Sequence, residues 1–349
     1  MNNFIFENKT KVYFGKGGVK EYLGSLLGNY GETVMLAYGG GSIKRNGVYD
    51  EIMGILNAAG KRVVEFDRIM PNPTYAKAQE GAKLARENHV DLILAVGGGS
   101  VSDCCKVISA QAKLDEDIWE MQYMKHTLST KFIPLGTIVT VFGTGSEMNN
   151  GAVITHEVKK IKGALWGAQA EFAFLDPSYT LSVPMKQVIS GAFDTLSHAM
   201  ETYFGKPDEN NLSDDINEAV MRSVIRNIRV LLTDPENYDA RSELAWASAM
   251  AENGILKIGK VTDFQCHMIE HQLGAYTNCN HGAGLAVIHP VLYRHIYKSG
   301  AARFARFAQN VWGVAPKGSI EETAAAGIDA LAVFIKEIGL PTSFAELGI

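Results

Sequence analysis

Up to about residue 180, short apolar runs alternate with helical patterns. The runs Thr33–Tyr38, Arg62–Phe66, Asp91–Val96 and Phe132–Ile138 read as strands, and Tyr75–Asn88, with Ala and Leu at helical spacing, reads as a helix between two of them. Strand, helix, strand in repetition predicts a parallel sheet covered on both faces. The stretch from Val153 through His156 to Trp166 breaks the rhythm and predicts a hairpin or antiparallel excursion, after which Phe172–Leu175 gives one more strand. Beyond Pro184 the period changes. Met185–Phe204, Asp214–Leu232, Asp239–Leu256, Asp263–Tyr276, Gly284–Tyr297, Ala301–Val311 and Ile320–Ile338 carry apolar residues at three- and four-residue spacing without strand-like alternation, so all seven read as helices. Proline suits a first helical turn, which sets a boundary near Pro184. The expectation is an α/β domain over residues 1–182 and an all-α domain over 183–349, with a cleft between them as the place for a ligand.

Composition narrows the function without naming it. A chain of 349 residues, 46% apolar and 20% charged, is an ordinary globular length and balance. Its 33 basic and 38 acidic residues give a formal charge of −5, which lends nothing to a nucleic-acid partner. There is no apolar run of bilayer length, and the opening Met1–Glu7 lacks the layout of a signal peptide, so neither a membrane nor export is expected. Cys104, Cys105, Cys266 and Cys279 form no C-x-x-C pair and suit reduced thiols in a cytoplasm, as small core residues.

Two glycine triplets carry the first chemical signal. The strand ending at Tyr38 runs into Gly39-Gly40-Gly41-Ser42, and the one ending at Val96 runs into Gly97-Gly98-Gly99-Ser100. Glycines at the carboxyl ends of parallel strands let backbone approach a phosphate, and the following helix N-terminus adds favourable partial charge. Neither is a G-x-G-x-x-G fingerprint or a P-loop, and tight turns need glycine anyway, yet the pair points to a dinucleotide. After Tyr38 there is no acid to meet a ribose hydroxyl; Ser42, Lys44 and Arg45 could receive a 2′-phosphate, which favours NADP(H), although the two cations also suit a solvated helix face. Asp103 falls in a first helical turn, where it either serves the helix dipole or meets the nicotinamide ribose or amide and joins the catalytic candidates. A third polar, glycine-containing turn, Thr137 to Glu147, makes Thr144 a cofactor candidate, and an ordinary loop fits it equally.

The second signal is a set of metal donors. Asp194 and His198 stand four apart in a helical pattern and project from one face; His267 and His271 repeat that spacing, and His281 follows in the same segment. Of nine histidines, His89, His126, His156, His289 and His295 are scattered and read as structural or surface residues. A single histidine is more often a satisfied core or surface group, but two i, i+4 pairs together are not. Imidazoles with one carboxylate suit Zn2+ or Fe2+ rather than Mg2+ or Ca2+. Asp194, His198, His267 and His281 make four ligands and leave His271 free as a proton relay. Beside a nicotinamide, such an ion polarises a carbonyl or acidifies an alcohol, so the reaction expected is hydride transfer between a nicotinamide and a small alcohol or aldehyde.

These residues resemble a known family. Phe14-Gly15-Lys16-Gly17, the block Tyr38 to Gly47, Pro71-Asn72-Pro73, Gly97 to Asp103, Thr144 to Glu147, Asp194-x-x-x-His198, and Cys266 to His271 leading to His281-Gly282 are similar, over essentially the whole chain, to the iron-containing (group III) alcohol dehydrogenases, of the NADPH-dependent butanol dehydrogenase type. The resemblance implies a dehydroquinate-synthase-like fold, a Rossmann-like domain plus a helical domain, and a homodimer acting on a primary alcohol or aldehyde such as butanol or butyraldehyde. It assigns the metal to Asp194, His198, His267 and His281. It lines the cofactor with Asn72, Gly97, Gly98, Gly99, Ser100, Asp103 and Thr140, and sends Lys160 toward the nicotinamide end, with Lys159 and Lys162 standing beside it. An aspartate near Gly40 in NAD-using relatives makes its absence here a mark of NADP. Gly143 departs from the family's usual alanine, and relatives continue through further helices beyond the position of Ile349. A glycerol-dehydrogenase-like polyol dehydrogenase, a metal-dependent hydrolase with phosphate in the glycine turns, and a non-catalytic metal holder are the alternatives.

Overall fold

The apolar run Thr33–Tyr38 is buried along its whole length, as a strand covered on both faces must be. The computed structural model describes residues 1–207 and 209–349. Its chain divides into two units, Asn8–Val183 on one hand and Met1–Glu7 with Pro184–Ile349 on the other.

In the first unit the elements are β1 (Lys11–Phe14), α1 (Gly18–Leu27), β2 (Thr33–Tyr38), α2 (Ser42–Arg45), α3 (Val48–Ala58), β3 (Arg62–Phe66), α4 (Tyr75–Glu87), β4 (Leu92–Gly97), α5 (Gly99–Gln111), β5 (Leu135–Val139), β6 (Gly151–His156), β7 (Ile161–Trp166) and β8 (Phe172–Leu175). A parallel sheet runs in the order β1-β8-β5-β4-β2-β3, and β6 and β7 form a separate antiparallel hairpin. Alternate residues of one strand feed two cores. Val34, Leu36 and Tyr38 pack with Leu23 of α1 and Ile52 of α3, while Met35 and Ala37 pack with Ala82 of α4 and Ile108 of α5. The strand expected at Phe132 begins instead at Leu135, since Pro134 has no N–H for a ladder. Asp91 stays outside β4 because its carboxylate accepts a hydrogen bond from the Thr33 N–H at 3.0 Å. The half-exposed edge strand β1 was not legible in the apolar pattern.

The second unit is helical: α6 (Met185–Tyr203), α7 (Leu212–Thr233), α8 (Tyr238–Glu252), α9 (Gln265–Thr277), α10 (His281–Ile296), α11 (Ala301–Trp312), α12 (Ile320–Glu337) and α13 (Phe344–Leu347). Capping boxes at Asn211/Asp214 and Ser319/Glu322 start α7 and α12. Helix α8 stops short of the expected Leu256 because Gly254 turns the chain at φ 94°. Helix α10 starts three residues earlier than expected, at His281, where the Asn280 side chain accepts from the Ala283 N–H at 3.0 Å. On α6, Phe193, Leu196, Met200 and Tyr203 face the core against Val224, Leu285 and Phe307. Each large side chain so buried contributes about 1.5–3 kcal/mol, which fixes the rotation of α6. Asp194, His198 and Glu201 then share the adjoining face.

Candidate metal centre and cofactor turns

In the sheet, β2 pairs with β3 on one side and β4 on the other, so the chain reverses its winding between β2 and β4. Ligands of open α/β sheets bind outside the carboxyl ends of the strands at such a reversal. Both glycine triplets are there: Tyr38 lies in register with Val96, and Gly39–Gly41 and Gly97–Gly99 follow on neighbouring strands. The Thr140 N–H donates to the Gly97 carbonyl at 2.9 Å, which sets the third turn alongside. A Cβ on Gly99 would stand 2.3 Å from the Thr144 hydroxyl, so glycine is required where that turn closes on the start of α5. A Cβ on Gly40 would meet nothing within 4 Å. The loop after β3 crosses these ends, with the Arg68 N–H on the Gly39 carbonyl at 3.2 Å and Asn72 in the left-handed region at φ 51°. Ser42 opens α2 and Ser100 lies in the first turn of α5. The structure thus gathers Gly39–Ser42, Gly97–Ser100, Thr140 and Thr144 at one edge.

Three candidates in this unit are placed differently from the simplest expectation. Asp103 lies beyond the first turn of α5, not in it as expected, and is buried; its two oxygens accept from the Ser146 hydroxyl at 2.5 Å and the Val153 N–H at 2.8 Å, so it ties the third turn and β6 to α5. Lys44 is drawn to Glu65 at 3.3 Å and lies over the Tyr49 ring, while Tyr38 and Tyr49 also donate to Glu65. Lys160 is exposed at the turn of the β6–β7 hairpin with φ 54°. It is Lys162 that is buried, opposite Thr155, whose N–H donates to the Pro73 carbonyl at 2.9 Å.

The donor set assembles in the helical unit. Helix α6 supplies Asp194 and His198, α9 supplies His267 and His271, and α10 opens with His281. A Cβ on Gly282 would stand 2.2 Å from the Ser190 carbonyl oxygen, and only that close approach lays the start of α10 against α6. One oxygen, Asp194 Oδ1, has His267 Nε2 at 3.4 Å, His281 Nε2 at 3.5 Å and His198 Nδ1 at 3.8 Å. Asp194 Oδ1, His198 Nδ1 and His267 Nε2 are buried without hydrogen-bond partners. Ligand atoms about 2.0–2.2 Å from a tetrahedral ion stand about 3.3–3.6 Å apart. The separations of His267 and His281, the donor chemistry and the orphaned buried atoms therefore fit a divalent ion, with His198 Nδ1 standing slightly wider at 3.8 Å. His271 is buried nearby, its ring centre 5.7 Å from that of His281.

Charge points the same way. Burial would raise Asp194, yet His198, His281 and His267 hold its carboxyl well below the usual range. Burial keeps His198 low, hence neutral, the form in which imidazole ligates. His267 feels the same burial, but Asp194 and Glu201 push it up to about 9. Positive charge is favoured between these groups.

Two acids escaped the spacing pattern. Glu201 contacts His267 Nδ1 and also accepts from the Cys266 N–H at 2.6 Å and the His267 N–H at 3.1 Å. Glu270, fully buried, contacts His281 Nδ1. Glu201 lies three residues after His198 and Glu270 three after His267, on the faces of candidate ligands, but each meets a ring of another helix, which spacing alone does not show. His289, read as structural, is buried between the Ser197 hydroxyl at 2.6 Å and the Cys266 thiol at 3.2 Å.

A family profile described as iron-containing alcohol dehydrogenase matches residues 9–177, and one described as the C-terminal region of the Fe-containing alcohol dehydrogenase family matches residues 188–349. The NADH-dependent butanol dehydrogenase A of Clostridium acetobutylicum is 37% identical over 352 residues, covering 100% of this chain and 90% of that protein. The NADPH-dependent aldehyde reductase YqhD of Escherichia coli is 36% identical over 356 residues, with the same 100% and 90% coverage. The crystal structure of NADH-dependent butanol dehydrogenase A from Thermotoga maritima matches with a TM-score of 0.95 at 36% identity, covering 100% of this chain and 87% of that one.

Proposed function

The chain belongs to the iron-containing alcohol dehydrogenase family, and from that premise we propose that it passes a hydride between NADP(H) and a small primary alcohol or aldehyde, butanol and butyraldehyde being representative. The observation that carries the reading is the single carboxylate oxygen of Asp194 ringed by three imidazole nitrogens at 3.4 to 3.8 Å. Asp194, His198, His267 and His281 would hold one Fe2+ or Zn2+. Such an ion supplies Lewis acidity at a carbonyl or alcohol oxygen, and the nicotinamide supplies or takes the hydride.

The protein's own residues supply the rest. Gly97, Gly98 and Gly99 let backbone approach the pyrophosphate at the start of α5, and Asn72, Ser100, Thr140 and Thr144 offer polar groups around it. Asp103 holds the third turn in register with α5 through Ser146 and Val153. His271, buried beside two ligand imidazoles, hands on the proton released or consumed at the substrate oxygen. The preference for NADP(H) rests on the open space at Gly40, the lack of an acid there, and Ser42 behind it. Named relatives fall on both sides, the butanol dehydrogenase with NADH and the aldehyde reductase with NADPH. We place the enzyme in the cytoplasm as a homodimer with no nucleic-acid partner; among the described residues no helix is long and apolar enough to cross a membrane.

The test follows absorbance of the reduced nicotinamide when Fe2+- or Zn2+-loaded protein meets butyraldehyde with NADPH or NADH. Consumption of NADPH, favoured over NADH and lost in Asp194→Ala, is expected. No consumption with any short or medium aldehyde, or full activity in Asp194→Ala, overturns the reading.

A further inference from the structure

We infer that Glu201 and Glu270 are positioning residues that aim His267 and His281 at the ion, each carboxylate belonging to one helix and orienting the ligand of the next. The inference rests on the metal site proposed above. An imidazole that ligates through Nε2 must carry its proton on Nδ1, and whatever accepts that proton fixes the tautomer and the ring plane. In His267 and in His281 it is Nε2 that faces Asp194, and in both rings Nδ1 meets a carboxylate oxygen. The partners come from different helices. Glu201 of α6 serves His267 of α9, and Glu270 of α9 serves His281 of α10.

The two carboxylates are not equivalent. Glu201 also accepts the Cys266 and His267 N–H groups at 2.6 and 3.1 Å. These lie in the first turn of α9, whose N-cap residue Phe264 offers no side-chain hydrogen bond and takes a left-handed φ of 48°. Glu201 therefore caps α9 and orients its ligand with one side chain, so the order of that helix start and the hold on the ion are coupled. Glu270 orients His281, which is more open, its side chain 24% exposed against 6% for His267. Loss of Glu201 should cost the site more than loss of Glu270.

The experiment measures Zn2+ affinity of the full-length protein by competition with a chromogenic chelator, and the visible spectrum after Co2+ substitution. Removing an outer partner of a ligating histidine typically weakens metal binding about 10- to 100-fold. Glu201→Ala is expected near the upper end and Glu270→Ala near the lower. The glutamine variants should recover much of the loss, because an amide oxygen still accepts from Nδ1–H, and the Co2+ bands should shift in the alanine variants and return in the glutamine ones. If Glu201→Ala does not fold, Glu201→Gln and the two Glu270 variants carry the test. Zn2+ affinity and Co2+ spectra unchanged in the folded variants, with binding lost in Asp194→Ala, overturn the inference and leave the site standing. Zn2+ binding that survives Asp194→Ala overturns the site itself.

Discussion

Asp194 and Glu147 are both buried carboxylates, and they have opposite fates. Three imidazoles hold the first well below the ordinary range against the pull of burial. The second ends the third turn with one oxygen unpartnered, and burial pushes it up to about 7 although Lys106 opposes the shift. The contrast extends to the regions they sit in. The candidate metal centre is made of one carboxylate and three imidazoles, Asp194 held by the imidazoles and two of these, His267 and His281, held by Glu201 and Glu270. The candidate cofactor turns are made of backbone, with glycine where a neighbour presses and small hydroxyl residues around it. A cation site needs fixed negative charge to offset desolvation, whereas a pyrophosphate site needs N–H groups and room.

The largest expected effect attacks the side-chain region. His267→Ala removes a proposed ligand and leaves Asp194 and Glu201 buried without the ring between them. Activity should fall about 10³-fold or more, since a Lewis acid supplies several kcal/mol to the transition state. Breaking such a buried cluster also costs stability, about 3–5 kcal/mol by chemical denaturation. Steady-state rates within tenfold of the parent would mean that the cluster is structural only.

The backbone region should respond to added charge instead. In Gly40→Asp the new side chain enters open space, so folding should be unaffected. Its carboxylate would repel a 2′-phosphate and welcome a ribose hydroxyl, shifting the kcat/KM ratio of NADPH to NADH toward NADH by about 10- to 100-fold, the equivalent of about 1.4–2.7 kcal/mol. An unchanged ratio would remove the adenosine end from this turn.

Glu147 sharpens the contrast through pH. Its folded form keeps a proton that the unfolded chain loses above about 4.5, so its presence costs stability progressively as pH rises from about 4.5 to 7. Glu147→Gln should match the parent near pH 5 and exceed it by about 1–3 kcal/mol at pH 8. Thermal melts at the two pH values decide; a parallel pH dependence in both proteins would show that Glu147 is solvated or paired.

The two regions were also legible to different degrees. The glycine triplets stood out in the sequence and follow neighbouring parallel strands, and all seven expected helices exist. The candidate donors stood out by helical spacing, and the fold brings them together around Asp194. Glu201 and Glu270 did not stand out, since an acid three residues from a histidine is ordinary on any helix and only the fold shows which ring it meets. Strand β1 was hidden because a short half-exposed edge carries little periodicity. Lys44 looked available in the sequence and is drawn to Glu65, a residue of the neighbouring strand.

The smallest expected effect concerns the lysines, where the family resemblance pointed to Lys160 among its neighbours. Lys160 lies in the turn before β7 begins at Ile161 and Lys162 lies within the strand, so the two meet different surroundings. Lys160 is exposed and left-handed, a turn residue, and Lys160→Ala should change kcat/KM by less than about twofold and stability by less than about 0.5 kcal/mol. Lys162 is buried and stands across from Thr155, the residue bonded to the chain just after Asn72. If a lysine of this hairpin serves the cofactor, Lys162→Ala should raise the KM for NADPH while Lys160→Ala does not. Measuring both under one set of conditions separates a buried cation at the cofactor turns from a solvated one, and the reverse order would return the role to Lys160.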